Sequence, residues 1–125
     1  MFGIRDKSGI QLLTKIRVHF SDLREHRYNH SFNCISPICA YGIGEETSIH
    51  YILHCSRYSS HRNTLLSKTS DIIGSEVSVL PDEHLFSLLL YGSNVFNYIS
   101  NSLILKNTIA YIRKTERFKT LEAFS

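Results

Sequence analysis

No apolar stretch in this 125-residue chain is long enough to cross a bilayer. The longest, Leu85 to Tyr91, is broken by Ser87 and followed by Gly92, so a membrane-spanning helix is not expected. The opening residues Met1-Phe2-Gly3-Ile4-Arg5-Asp6-Lys7 lack the charged-then-apolar order of a secretory signal. That points to an intracellular protein, nuclear or cytoplasmic. Cysteine is scarce, with three in all. An odd number in a reducing compartment argues for reduced or metal-bound thiols rather than disulfides. Catalytic signatures are missing as well. There is no Y-x-D-D polymerase motif, no Gly-rich phosphate loop and no G-x-S-x-G elbow. Carboxylates are few, and the adjacent ones have ordinary explanations. Glu45 and Glu46 read as solvated loop groups, and Asp82 and Glu83 as acids at a helix start. A non-enzyme with no small-molecule substrate is the expectation.

What the chain does have is a core. Apolar residues make up 42%, enough for one domain over residues 1–125 and too many for global disorder. The net charge of +3 is unevenly spread. Arg5, Lys7, Lys15, Arg17, Arg24 and Arg27 stand near one end; Lys106, Arg113, Lys114, Arg117 and Lys119 stand near the other. Between them acids outnumber bases. Basic ends of this kind suit either phosphate contact or solvated helix faces.

Apolar spacing predicts a mostly α, small irregular helical domain of about five helices with a Cys/His loop. Ile10, Leu13 and Ile16 mark a helix over 8–18. Ser21 reads as the cap of a second, to about His30, with a basic, His-rich outer surface. Together 8–30 form a basic helical segment. Turn residues Asn33, Pro37, Gly42 and Gly44 make a loop, after which Thr47 or Ser48 caps a third helix reaching Tyr58 or Leu66. Residues 31–66 are thus a Cys/His unit. Serines and Gly74 make 67–79 a linker, with a short extended piece at 76–80. Residues 80–119 form a helical hairpin. Pro81, Asp82 and Glu83 open its first helix, apolar almost all round and so central, and Gly92 ends it. The last runs over about 95–118, weakened by Asn94, Asn97, Asn101 and Asn107.

The chemistry-bearing residues are Cys34, Cys39, His50 and Cys55, spaced C-x4-C-x10-H-x4-C. Thiolates and imidazole are the donors zinc prefers in a tetrahedral site. His54, four residues after His50, is a competing ligand. Buried core cysteines and a satisfied core histidine are the alternative reading of the same residues. No role is assigned to His19, His26, His30, His61 or His84.

The order Leu12-Leu13-Thr14-Lys15-Ile16-Arg17, then Ser21-Asp22-Leu23-Arg24-Glu25-His26, then Cys39, Gly42, Glu46-Thr47, His50-Tyr51-Ile52-Leu53-His54-Cys55 and Arg62 resembles a known pattern. It is similar to the tail that follows the polymerase domain in non-LTR (LINE-like) retrotransposon reverse-transcriptase polyproteins. Ala110-Tyr111-Ile112 and Thr115-Glu116-Arg117-Phe118 resemble the close of such frames. The chain reads as a detached tail of one. The resemblance implies a C-x-C-x8-H-x4-C zinc knuckle, whose second ligand position is here Tyr41, a phenol that binds zinc poorly at neutral pH. Cys34 is the candidate replacement. The resemblance also implies a non-catalytic accessory role in binding RNA or single-stranded DNA. Arg24, Arg27, Arg57 and Arg62 are the candidate phosphate contacts; Tyr41, Tyr51 and Tyr58 offer either stacking faces or, as the favoured reading, plain core packing. The alternative is a helical remnant of a decayed retroelement that binds neither zinc nor nucleic acid.

Overall fold

The computed structural model describes residues 3–18, 21, 23–29, 36–40 and 44–118. Five α-helices are present among them: α1 (Lys7–Arg17), α2 (Arg24–Asn29), α3 (Ser59–Ile73), α4 (Asp82–Tyr91) and α5 (Tyr98–Thr115). A π turn at His50–His54 and 3-10 turns at Ser56–Tyr58 and Val77–Val79 complete the order. Among the described residues the β structure is one isolated antiparallel bridge, Ile38 to Glu45. The fold is therefore mostly α, as the apolar periodicity predicts. No helix among the described residues is long and apolar enough to cross a membrane.

The central element is α5. It packs against α1, α3 and α4 and buries Ile104, Leu105, Thr108, Ile109, Tyr111 and Ile112. Two of its asparagines have specific work. Asn97 caps the helix, its side chain accepting from the Ser100 N–H at 2.8 Å. Asn101 accepts from the Ser93 N–H and donates to the Ser93 and Phe96 carbonyls, bracing the turn from α4. A Cβ on Gly92 would stand 2.6 Å from the Asn101 amide oxygen, so glycine is required where that brace meets the chain. The helix begins at Tyr98 rather than near 95 because Asn97 supplies the cap.

Around this helix the partners are set by local signals. Asp6 caps α1 through the Gly9 N–H and is clamped by Arg113 of α5. Gly9 lets α1 lie against α5, since a Cβ there would come 2.5 Å from Ile109. Leu12, Leu13 and Ile16 form the buried face of α1. In α4, Leu85, Leu88, Leu89 and Leu90 are buried while Asp82, Glu83, His84, Ser87 and Tyr91 are exposed. It is thus one-sided, and the central place belongs to α5. Thr108 of α5 donates to the Leu89 carbonyl, tying the pair.

Two other expectations are corrected. The stretch 67–79 is not a linker. Helix α3 runs through it to Ile73 and stops at Gly74, which takes φ of 73°. Leu65 and Thr69 bury on α3, and the Thr69 hydroxyl bonds back to the Leu65 carbonyl; Ser59, Ser60 and Ser67 lie on its outer face, while the half-buried Ser70 accepts from the Val77 N–H. Residues 76–80 are not one extended piece: between extended Glu76 and Leu80, Val77–Val79 form a 3-10 turn with Val77 inserted in the core.

Candidate metal centre

The predicted third helix does not run on to Tyr58. Thr47 does cap its start, accepting from the His50 N–H at 3.1 Å. The backbone then widens. The Cys55 N–H donates to the His50 carbonyl at 2.7 Å, five residues back, and Cys55 itself is extended. In an α-helix residues five apart point about 140° away from each other. Widening the turn to an i→i+5 bond swings Cys55 toward the same side as His50. Arg62 of α3 fixes this geometry. It is buried and donates to the Ile52 carbonyl at 3.0 Å and the Cys55 carbonyl at 2.7 Å. The Ile52 carbonyl stands where the turn ends and is satisfied by the guanidinium, while the Cys55 carbonyl takes it in addition to the Tyr58 N–H. Arg62 is therefore an internal brace and not a phosphate contact.

Cys39 arrives from the other direction. Its N–H donates to the Gly44 carbonyl and the Glu46 N–H donates to the Pro37 carbonyl, giving a short paired stem. This brings Cys39 to Cys55 with a sulfur–sulfur separation of 3.7 Å. That distance is too long for a disulfide. It matches the edge of a tetrahedron with metal–sulfur bonds near 2.3 Å, about 3.8 Å. Donor atoms of Cys39, His50 and Cys55 all lie within 4.8 Å of one another; the two cysteines are buried and His50 is 9% exposed. The His50 Nε2 is buried and has no hydrogen-bond partner among the described residues. Burial also pushes the His50 imidazole below its ordinary pKa, favouring the neutral ligand form, and pushes the Cys55 thiol up. Two sulfurs and one orphaned imidazole in a buried triangle fit a metal ion. Without a cation, the same burial holds Cys55 as a thiol; a cation reverses that by binding the thiolate.

Of the other predicted ligands, Cys34 lies outside the described residues, as does Tyr41. His54 is excluded as a competitor: it is half exposed and its Nε2 pairs with Asp82 at 2.9 Å.

Polar braces around the cluster went unread in the sequence. Glu46 is not solvated. It is buried and receives a two-pronged ion pair from Arg117, at 2.9 and 2.6 Å. The same carboxylate accepts the Arg24 N–H at 2.7 Å, so it caps α2 from outside the helix. Ser21 has a different task. Its N–H donates to the His26 Nδ1, its hydroxyl stands 2.7 Å from that nitrogen, and the hydroxyl accepts from the Leu23 N–H. With Nδ1 as acceptor, the His26 Nε2 donates to the Ser48 hydroxyl, which donates to the Ile16 carbonyl. His26 is thus a buried junction of α1, α2 and the metal segment, and the His-rich outer surface expected for α2 loses it. The signal lay in Ser21, His26, Glu46 and Arg117, all quoted for the resemblance above. Only their partners were invisible.

The candidate nucleic-acid contacts divide. Arg57 is exposed and Arg24 and Arg27 are half-buried on α2, while Arg62 points inward. Tyr51 and Tyr58 do not offer stacking faces. They are buried in a ring cluster with Tyr111 and Phe118, with Tyr51 within 5.6 Å of each of the others, centroid to centroid. The basic ends are also partly used within the fold. Arg17 donates to the Leu90 carbonyl and lies over the Tyr91 ring, Arg113 holds Asp6, and Arg117 holds Glu46.

Comparison of the chain with protein-family models, with curated proteins and with solved structures gives no match.

Proposed function

We propose that this chain is a non-catalytic nucleic-acid-binding module in which a zinc ion, held by Cys39, His50 and Cys55, fixes the segment 36–58 on a helical body. The observation that carries it is the buried triangle of two sulfurs and an unpartnered imidazole nitrogen. The donor set, two thiolates and one imidazole, selects zinc over harder cations. A structural site takes four ligands, and Cys34 is the proposed fourth. The retroelement-tail resemblance supports the reading through particular residues. Ser21, His26, Glu46, Arg62 and Arg117 lie within the resembling segments, and each braces the region around the cluster. RNA or single-stranded DNA would meet the exposed Arg57 and the α2 arginines, Arg24 and Arg27.

Cobalt(II) titration tests the metal. The wild type is expected to develop thiolate-to-cobalt charge-transfer absorption that zinc abolishes, and Cys39→Ser and Cys55→Ser to lose it. An absence of that absorption in the wild type rejects the site. A Cys34→Ser variant with unchanged zinc affinity removes Cys34 from it. Binding to single-stranded RNA and DNA across a salt series tests the second half. Affinity is expected to fall steeply with salt, and Arg57→Gln to weaken it. No binding at low salt leaves a helical remnant.

A further inference from the structure

The first described residues and α5 enclose a cleft of about 440 Å³. This falls within the roughly 300–1,000 Å³ of small-ligand sites. Four cations line it, Arg5, Lys106, Arg113 and Lys114, against one carboxylate, Asp6. That carboxylate is already committed. It accepts from Arg113 and from the Gly9 N–H, and the Arg113 guanidinium beside it holds it below its usual range. Arg5, Lys106 and Lys114 are exposed and have no hydrogen bond or ion pair among the described residues. Positions 106, 110, 113 and 114 fall along one face of α5. Ala110 keeps the middle of that face open, and Ile4 and Ile109 provide apolar wall. Three unmatched cations converging on one cleft repel one another until an anion neutralises them. The apolar wall between them gives an uncharged group a place to lie.

We propose that this cleft binds an organic phosphate of nucleotide size, with the phosphate between Arg5, Lys106 and Lys114 and the uncharged portion on Ile4, Ala110 and Ile109. Arg113, locked by Asp6, adds fixed positive charge without moving. The phosphate belongs either to a free nucleotide or to one unit of a polynucleotide. No residue of the cleft is shared with the metal cluster, so the two proposals fail separately.

The test is a titration of isotope-labelled full chain with AMP, followed by amide NMR. Saturable shifts are expected at Arg5, Lys106, Ala110 and Lys114, with adenosine giving none and inorganic phosphate competing. The pair Lys106→Gln with Lys114→Gln is expected to weaken AMP about tenfold or more. Lys68→Gln, an exposed change on α3, is expected to leave it unchanged. Unaltered shifts elsewhere in the double variant establish that it folds. A short single-stranded oligonucleotide that shifts the same amides and binds tighter than AMP assigns the phosphate to a polynucleotide. Equal or weaker binding assigns it to the free ligand. The proposal is overturned by unsaturable shifts, by equal response to adenosine, or by Lys68→Gln weakening AMP as much as the double change.

Discussion

The helical body and the segment 36–58 share one apolar core, to which the segment gives Tyr51, Ile52 and Tyr58, but they differ in how far polar groups set their geometry. In the body, α1, α3, α4 and α5 meet through Leu13, Ile16, Leu65, Leu89, Ile104 and Ile112, all nearly or fully buried. Burial of such side chains stabilises by about 2 kcal/mol each and needs no direction. Among its described residues the segment has little regular structure beyond short π and 3-10 turns, and their geometry is fixed by polar groups: the Glu46–Arg117 pair, the His26 junction, the Arg62 brace and the Cys39–His50–Cys55 triangle. These forces are directional, so they set geometry closely and tolerate little change. The difference teaches that the body is a scaffold and the segment a site whose shape depends on each polar partner.

The comparison is broken most sharply by removing metal. With zinc at a thousandfold over its dissociation constant, the ion is expected to protect the segment by about 4 kcal/mol. Chelation should therefore speed amide exchange over 44–55 and leave α5 protected, as hydrogen–deuterium exchange would show. Equal loss in both regions would mean that they unfold as one unit. The reverse experiment is Leu89→Ala, which empties a fully buried site in the body. A loss of about 3 kcal/mol in urea unfolding is expected. Next is Glu46→Ala, which removes the carboxylate that Arg117 holds and uncaps α2. It is expected to cost about 2 kcal/mol, read from the thermal midpoint, and to loosen α2 before α5.

Alkali probes the boundary between the two regions. Burial holds the Tyr51 and Tyr111 phenols far above their ordinary value of 10.0. The unfolded chain therefore releases their protons first, and the folded chain binds more protons above about pH 10. Stability is expected to fall with rising pH there, by up to about 1.4 kcal/mol per pH unit for each group. Tyr111→Phe should reduce that slope in urea unfolding at pH 9 and 11. The smallest effect is expected at the rim of the body, where Asn97→Ala removes the cap of α5 and costs about 1 kcal/mol in the same measurement.

Helix boundaries were legible where the signal is local. The apolar spacing Ile10, Leu13 and Ile16 in α1, Pro81 and Gly92 around α4, and the apolar stripe of α5 all act within a turn or two of themselves, whereas the Asp6 cap of α1 was not read. The α3 extension was misread because serines and a threonine carry weak helix propensity. Tertiary burial of Leu65 and Thr69 overrides it. Cys39, His50 and Cys55 were legible from residue type and spacing. Their convergence was not, because it depends on a π turn and on Arg62, which reaches the Ile52 carbonyl from ten residues away.

By itself, then, the sequence determined the helical class, the ends of α1 and α4 and the identity of three candidate ligands. Those properties follow from side-chain chemistry and from spacing along a few residues of chain. Only the tertiary structure decided that Glu46 meets Arg117, that His26 turns inward between Ser21 and Ser48, and that Arg62 braces rather than binds. Those outcomes depend on which distant groups are desolvated together. A buried charge or imidazole takes whatever partner the packed helices bring within reach, and no local pattern encodes that distance.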